Sequence, residues 1–387
     1  MLHYEEISSK RGSIAMPINA AQTNARDARQ AVLEIAAKVR QKDPAFILFF
    51  CSVRYDLEVL AAEFRENFFS TPMIGCTTSG EFGPLGYSQG GIAAVSFPAD
   101  EFTFASAALS STLGSDPEPM RAALADLHSR IGSLPNRMVI LLTDGLSGME
   151  ELMAQASHRE FPDLPVLGGS AGDEERYAST EVFYDGAFHT GESLIAAIST
   201  SRPIRPFLTH PFFGASDPLV VTEADARERL IIEINGNPAN AEYARAIGVA
   251  PGALTLAHFA ANPFVVRVNG VDFVRSIQSI LPDGSLKLFC AIKRGVVLRI
   301  GKSTDLAENR GNLGRSLRES LGEADFILGF ECILNRHALT RSGQLEGVGR
   351  LYRELRMLGF NTYGEQYQGL HMNQTLAGIA FGREAQR

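Results

Sequence analysis

Short, wholly apolar runs, each tied to an amphipathic helix and to a second apolar run ending in glycine, constrain this chain most. Phe46-Ile47-Leu48-Phe49-Phe50 has no polar alternation and reads as a strand buried on both faces, the habit of a parallel sheet. A helix precedes it over 27–39, with Ala31, Val32, Ile35, Ala36 and Val39 on one face. A second helix follows over 56–67, carried by Leu57, Leu60, Ala61 and Phe64. Pro72-Met73-Ile74-Gly75-Cys76 is the next buried run, closed by Thr77-Thr78-Ser79-Gly80-Glu81, and strands are expected at 91–97 and 102–108.

The pattern then returns. Met138-Val139-Ile140-Leu141-Leu142 matches the first run, residues 148–157 match its helix, and Pro165-Val166-Leu167-Gly168-Gly169-Ser170 matches Pro72 to Thr77. Residues 193–198 match 91–95 after a hairpin over 181–189 with an Asp185-Gly186 turn. The expectation is an internally duplicated α/β unit, with its Gly-rich strand ends as equivalent loops.

Four prolines with Phe207, Phe212 and Phe213 mark an ordered crossover over 203–218, too aromatic for a flexible linker. Beyond it the pattern changes to α+β with a mainly antiparallel sheet. A strand is expected at 229–235, then a helix to Ile247 capped by Asn237 with Pro238 first. Strands around Asn269-Gly270 form a hairpin, and further strands fall at 286–292 and 296–300. Helices are expected at 306–321 and 348–358, and strands at 326–334 and 375–381. Two domains follow, at 25–215 and 216–387.

The length of 387 residues fits two or three domains, and 45% hydrophobic with 21% charged content is that of a soluble globular chain. No apolar run approaches the ~20 residues of a membrane span. The start has early acids and no apolar core of a signal peptide, so a cytoplasmic location is expected. A net charge of -8 argues against nucleic acid or an anionic membrane as partner. Cys51, Cys76, Cys290 and Cys332 lie far apart, which indicates neither a disulfide framework nor a zinc ribbon.

No catalytic motif stands out. Gly168-Gly169-Ser170-Ala171-Gly172 lacks a lysine and runs into Asp173-Glu174-Glu175, the wrong sign for a phosphate cradle. Cys76 and Cys332 read as packed strand thiols, and Glu331 is placed to pair with Arg336. The eight histidines show no zinc spacing. A single axial haem ligand needs no spacing, and His189, His210 and His371 all adjoin aromatic segments. His3, His128, His158 and His337 read as surface residues, and His258 is undecided. The terminal stretch Gly359-Phe360-Asn361-Thr362-Tyr363-Gly364-Glu365-Gln366-Tyr367, closed by His371-Met372-Asn373-Gln374-Thr375, crowds polar groups where a core should be finishing. Such groups need partners, either each other or a ligand.

Long segments resemble a known family. Phe50-Cys51-Ser52-Val53-Arg54-Tyr55-Asp56, Ile74 to Glu81 and Leu167 to Asp173 resemble the N-terminal FIST sensory domain. Glu233 to Ala239, Val274 to Ile277, Leu328 to Leu334 and the terminal stretch resemble its C-terminal partner. In detail the terminal stretch looks like the nitric-oxide-sensing protein (NosP) branch. The resemblance implies a cytoplasmic sensor rather than an enzyme. It would bind non-covalent haem b, respond to nitric oxide and modulate a histidine kinase or a cyclic-di-GMP enzyme. Under that reading His210 is the metal ligand, with His189 and His371 as alternatives and Phe207 and Phe212 as walls. The wider family is thought to bind small ligands such as amino acids, which would place Tyr363, Glu365, Gln366 and Asn373 around a metabolite. The oligomeric state, homo-oligomer or not, stays open.

Overall fold

Glycine at the third place of three strands sets how this protein is built. Gly75 in Met73–Thr78, Gly168 in Val166–Ser170 and Gly359 in Met357–Thr362 each lie opposite a residue of a parallel neighbour. A Cβ there would fall 2.4 Å from Phe49 O, 1.8 Å from Leu141 O and 1.8 Å from Gly329 O. The backbones approach so closely that no other residue fits. The structure, a computed structural model, describes residues 17–110, 117–268 and 270–383.

Each glycine strand belongs to one of three six-stranded sheets of the same plan. The first runs Asn19–Thr23, Ile92–Pro98, Pro44–Ser52, Met73–Thr78, Val182–Tyr184, Ala187–His189. The second runs Phe102–Ser110, Glu192–Thr200, Asn136–Thr143, Val166–Ser170, Glu365–Tyr367, Leu370–Met372. The third runs Ile204–Thr209, Leu376–Gly382, Ala324–Cys332, Met357–Thr362, Glu81–Gly83, Gly86–Ser88. In each, the third and fourth strands are parallel and the remaining pairs antiparallel. The expected duplication is therefore a triplication.

The closing hairpin of every sheet comes from another repeat. Residues 81–88 leave the first repeat and complete the third sheet, 182–189 leave the second and complete the first, and 365–372 leave the third and complete the second. Strands from both sides of residue 215 thus share sheets.

Helices cover the outer faces. In chain order they are α1 (Ala28–Val39), α2 (Leu57–Asn67), α3 (Pro117–Arg130), α4 (Glu150–Glu160), α5 (Ala239–Ile247), α6 (Leu256–Ala261), α7 (Leu306–Leu321), α8 (Ile333–Arg341) and α9 (Leu345–Glu354). Asp27 and Asp56 cap α1 and α2 by accepting from backbone N–H groups of the first turn. α1 and α2 pack on the first sheet through Phe49, Phe64 and Phe183, and α3 and α4 on the second through Leu141 and Phe161. α7 to α9 pack on the third through Phe82 and Tyr352. The inner faces of all three sheets meet in one central core that holds Phe46, Phe50, Phe97, Leu142, Phe330, Phe360 and Phe381.

Residues 212–303 form an antiparallel insertion with its own nine-stranded sheet, α5 and α6. It docks on the body through Arg229 Nη2, 2.7 Å from Glu150 and 2.8 Å from Glu151, and through Ser276 Oγ, which donates to Gln374 Oε1 at 2.9 Å.

Several local expectations change. α3 has no counterpart in the sequence reading. The strand expected to reach residue 334 ends at Cys332 and continues as α8. The helix expected over 348–358 is α9, after which Met357 begins a strand. Asn237 and Pro238 form a short strand, and α5 begins at Ala239 without a side-chain cap. Strands Phe264–Val268 and Val271–Arg275 flank Asn269, which lies outside the described residues, as does His3.

Candidate functional site

The carboxyl ends of the three parallel strand pairs converge, which is where ligands of α/β folds bind. Backbone bonds join them: Ser79 N donates to Asn361 O at 3.1 Å, Gly172 N to Thr77 O at 3.0 Å, and Tyr363 N to Ser170 O at 3.2 Å. The first and third repeats go straight into their hairpins here. The second inserts residues 173–181, which lie over the strand ends as a strap.

The strap has a tight conformation held by many bonds. Glu174, Glu175 and Tyr177 have φ of 57°, 63° and 50°, a left-handed conformation that costs energy for residues other than glycine. The Asp173 carboxylate accepts from the N–H groups of Tyr177, Ala178 and Ser179 at 3.0, 2.6 and 3.1 Å and from the Tyr363 hydroxyl. Burial pushes the Asp173 carboxyl up, but these donors outweigh it and hold its pKa below the usual value. Glu174 accepts from Ser52 Oγ at 2.6 Å and Arg54 Nε at 2.7 Å. Glu175 N donates to the Tyr363 hydroxyl at 2.7 Å, and its carboxylate meets His337 Nε2 at 2.8 Å. The Tyr177 ring stacks on Tyr363 with centroids 5.1 Å apart.

Beside the strap, toward the start of α2, lies a cavity of about 760 Å³. Asp56, Glu58, Asp173 and Glu181 line it together with Arg65 and Arg176, and Tyr55, Leu57 and Phe188 supply apolar wall. Its size is that of a small-molecule site.

The terminal stretch is buried except at Tyr367. Glu365, Gln366, His371 and Asn373 are each at most 3% exposed. Gln366 Nε2 donates to Ser170 Oγ at 2.8 Å and reaches His371 Nδ1 at 3.1 Å, and Asn373 Nδ2 donates to Tyr363 O at 3.1 Å. Gln366 Oε1, His371 Nε2 and Asn373 Oδ1 have no partner, nor do either amide atom of Asn361 or the Ser79 hydroxyl.

The sequence of the same segments matches two family models, the FIST N domain over residues 45–237 and the FIST C domain over 239–368. The chain belongs to the FIST family. No curated protein matches it. FIST domains are sensory modules of signal transduction, so this FIST protein carries a sensory module whose two named domains build the three sheets jointly.

The histidines expected to serve a haem are spread over this FIST fold. His210 sits at the insertion junction, where its Nε2 is 2.7 Å from Asp272 O and its Nδ1 accepts from Phe212 N at 3.3 Å, so both ring nitrogens are engaged. Burial lowers its pKa. Phe207 packs in the outer core of the third sheet and Phe212 in a separate cluster with Val265 and Val274, so they do not wall one slot. His189 stacks on Tyr184 at 4.0 Å at the edge of the first sheet. His371 is enclosed, its ring lying against Gly364. The residues at His210 do not fit a haem. Among the described residues no group of three His, Cys, Asp or Glu could hold a metal ion, and no helix is long and apolar enough to cross a membrane.

Of the four expected ligand residues, Gln366 bonds Ser170 and His371, Asn373 bonds the Tyr363 carbonyl, Tyr363 holds the strap, and Glu365 faces the interior. Glu365 Oε2 accepts from Thr375 N at 3.2 Å and Oγ1 at 2.6 Å. Glu331 pairs with Arg310, whose Nη2 is 2.9 Å away, rather than with Arg336, which donates to Ser79 O at 2.9 Å. Cys76 and Cys332 are buried, and burial pushes both thiols well above their usual pKa, the opposite of an activated nucleophile. His258 caps α6, where Thr255 N donates to its Nδ1 at 3.1 Å. Sequence reasoning missed the strap and the cavity. The run Asp173-Glu174-Glu175 was its visible trace, read only as the wrong charge for phosphate.

Proposed function

We propose that this FIST protein is a sensor of a small zwitterionic metabolite of the amino-acid type, bound in the cavity beside the strap. It would pass that signal to a partner histidine kinase or cyclic-di-GMP enzyme in the cytoplasm. The observation that carries the reading is the mixed lining of the 760 Å³ cavity, in which Arg65 and Arg176 occur together with Glu58, Glu181 and the apolar side chains of Leu57 and Phe188. A guanidinium takes a carboxylate and a carboxylate takes an ammonium, so one ligand satisfies both signs. Asp173 lines the cavity and anchors the strap, so occupancy bears directly on strap conformation.

Calorimetric titration with the common amino acids tests this. Saturable binding that weakens at least tenfold in Arg176→Ala supports it, and no binding by any of them contradicts it. The nitric-oxide reading rests on the resemblance of the terminal stretch, with His210, His189 and His371 as its candidate haem ligands. The same preparation mixed with haem and read in ferric, ferrous and ferrous-nitrosyl forms decides it, since only a bound haem gives a saturable Soret band that shifts with nitric oxide.

A further inference from the structure

The exchange of closing hairpins leaves space where one sheet meets the edge strand of the next. In the third sheet the tip of the 81–88 hairpin, at Gly83 and Pro84, shares a cavity of about 370 Å³ with Ala20 of the edge strand Asn19–Thr23 and the start of Met357–Thr362. In the first sheet the tip of the 182–189 hairpin, at Asp185 and Gly186, shares about 440 Å³ with Phe104 of the edge strand Phe102–Ser110 and the start of Met73–Thr78. The fold makes the same space twice, and the side chains tell the two apart. The cavity of the third sheet is lined by Arg353, Arg356 and Asp325, with Phe326 as its one aromatic ring, and Arg356 already pairs with Asp325 at 3.1 Å.

The cavity of the first sheet is walled by rings. Phe64, Phe68, Phe69, Phe104, Phe183 and Tyr184 all line it. Five of them are held in place by other rings. Phe64 lies 6.4 Å from Phe68 and meets Phe183 edge-on at 6.0 Å, while Phe104 stacks on Phe46 at 4.7 Å and Tyr184 on His189 at 4.0 Å. Phe69 differs. At 93% exposure it is the most exposed large apolar side chain among the described residues. Such a ring gains from any contact that takes it out of water. The charged residues of the lining are Arg65 and Asp185, opposite in sign, and Arg65 Nη1 donates to Gly186 O, which ties α2 to the hairpin turn.

We infer that this ring-lined cavity is a second binding site, for a small neutral aromatic molecule of one or two rings. Its volume is that of a small-molecule site. Aromatic rings attract one another in offset and edge-on arrangements beyond what burial gives, a gain that a saturated ring of the same size does not share. Arg65 and Asp185 cancel in charge, so the lining selects no ion of either sign. A ligand seated against Phe69 also removes that exposed ring from water. The site is distinct from the strap cavity, with which its lining shares Arg65 alone.

The probe is indole, titrated into the full chain and followed by its own fluorescence. The chain has no tryptophan, so indole emission reports the ligand alone. The expected result is a saturable blue shift and rise in anisotropy, reversed by benzyl alcohol at a concentration at least fivefold lower than that of cyclohexylmethanol. Ser106→Phe, which puts a ring into the cavity from the edge strand, is expected to abolish binding. Phe69→Ala, a change at an exposed position, is expected to weaken it at least threefold. No saturable indole signal would leave the cavity to a partner's side chain or to solvent and overturn the inference, and equal displacement by the two alcohols would overturn the ligand class. Full binding by Ser106→Phe would overturn the location, and if that variant fails to fold, unchanged affinity in Phe69→Ala does so. Arg176 lines only the strap cavity, so Arg176→Ala should leave indole binding intact, and loss of indole there would move the ligand to the strap. Failure of amino-acid binding at the strap leaves the indole result unaffected.

Discussion

The Tyr363 hydroxyl donates to Asp173 while accepting the backbone N–H of Glu175, so one phenol from the third repeat fixes the strap of the second. Tyr363→Phe removes both bonds and keeps the ring stacked on Tyr177. A hydrogen bond to a charged group contributes about 1.5–3 kcal/mol. The variant should lose about 2 kcal/mol locally, and amide exchange at Glu175 and 177–179 should speed up by ~10-fold or more. Unchanged exchange there would show that the strap does not depend on Tyr363.

Two buried glutamates should make stability fall with pH. Glu81 accepts from Thr78 Oγ1 at 2.5 Å, and Glu365 holds the same place after Thr362. Burial pushes their pKa values from 4.5 up to about 7 and about 8. Between pH 4.5 and those values the folded chain keeps protons that the unfolded chain has released, so stability decreases as pH rises through this window and levels off above it. Above the window the loss is on the order of 3 kcal/mol for Glu81 and about 5 kcal/mol for Glu365. Melting temperature should therefore drop from pH 5 to pH 8, and Glu81→Gln with Glu365→Gln should flatten the curve.

The Arg310–Glu331 pair is fully buried, with Tyr352 donating to Glu331 at 3.0 Å and Tyr87 to its other oxygen. Removing one partner strands a charge, so Arg310→Met should cost about 3–5 kcal/mol in chemical denaturation. Arg350→Ala, which breaks an exposed pair with Glu346, should cost under about 0.5 kcal/mol.

Gly168→Ala puts a methyl 1.8 Å from the Leu141 carbonyl oxygen. The parallel pair cannot separate without disturbing the central core, so expression should yield little soluble protein. Gly236→Ala, where nothing lies within 4 Å, should fold despite a φ of 77°.

Much of this fold was legible because buried strands leave long apolar runs. Phe46 to Phe50 and Met138 to Leu142 gave away two repeats. The third was hidden because residues 212–303 separate its edge strand, Ile204–Thr209, from α7. The hairpin exchange had no sequence trace, since an Asp-Gly turn says that strands pair but not which sheet they join. The terminal stretch stood out because buried Gln366, His371 and Asn373 break the apolar pattern, but which of their atoms lack partners depends on the fold. Phe207 and Phe212 looked like one wall because they are neighbours in sequence, and alternation along a strand and a turn sends them to different cores.

Hydrogen exchange of residues 173–181, measured with and without a bound amino acid, tests the sensory account most directly. The account predicts that ligand protects the strap amides, Ala178 and Ser179 above all, and that Arg176→Ala abolishes the effect. Binding that leaves the strap unchanged and protects only other segments would contradict it.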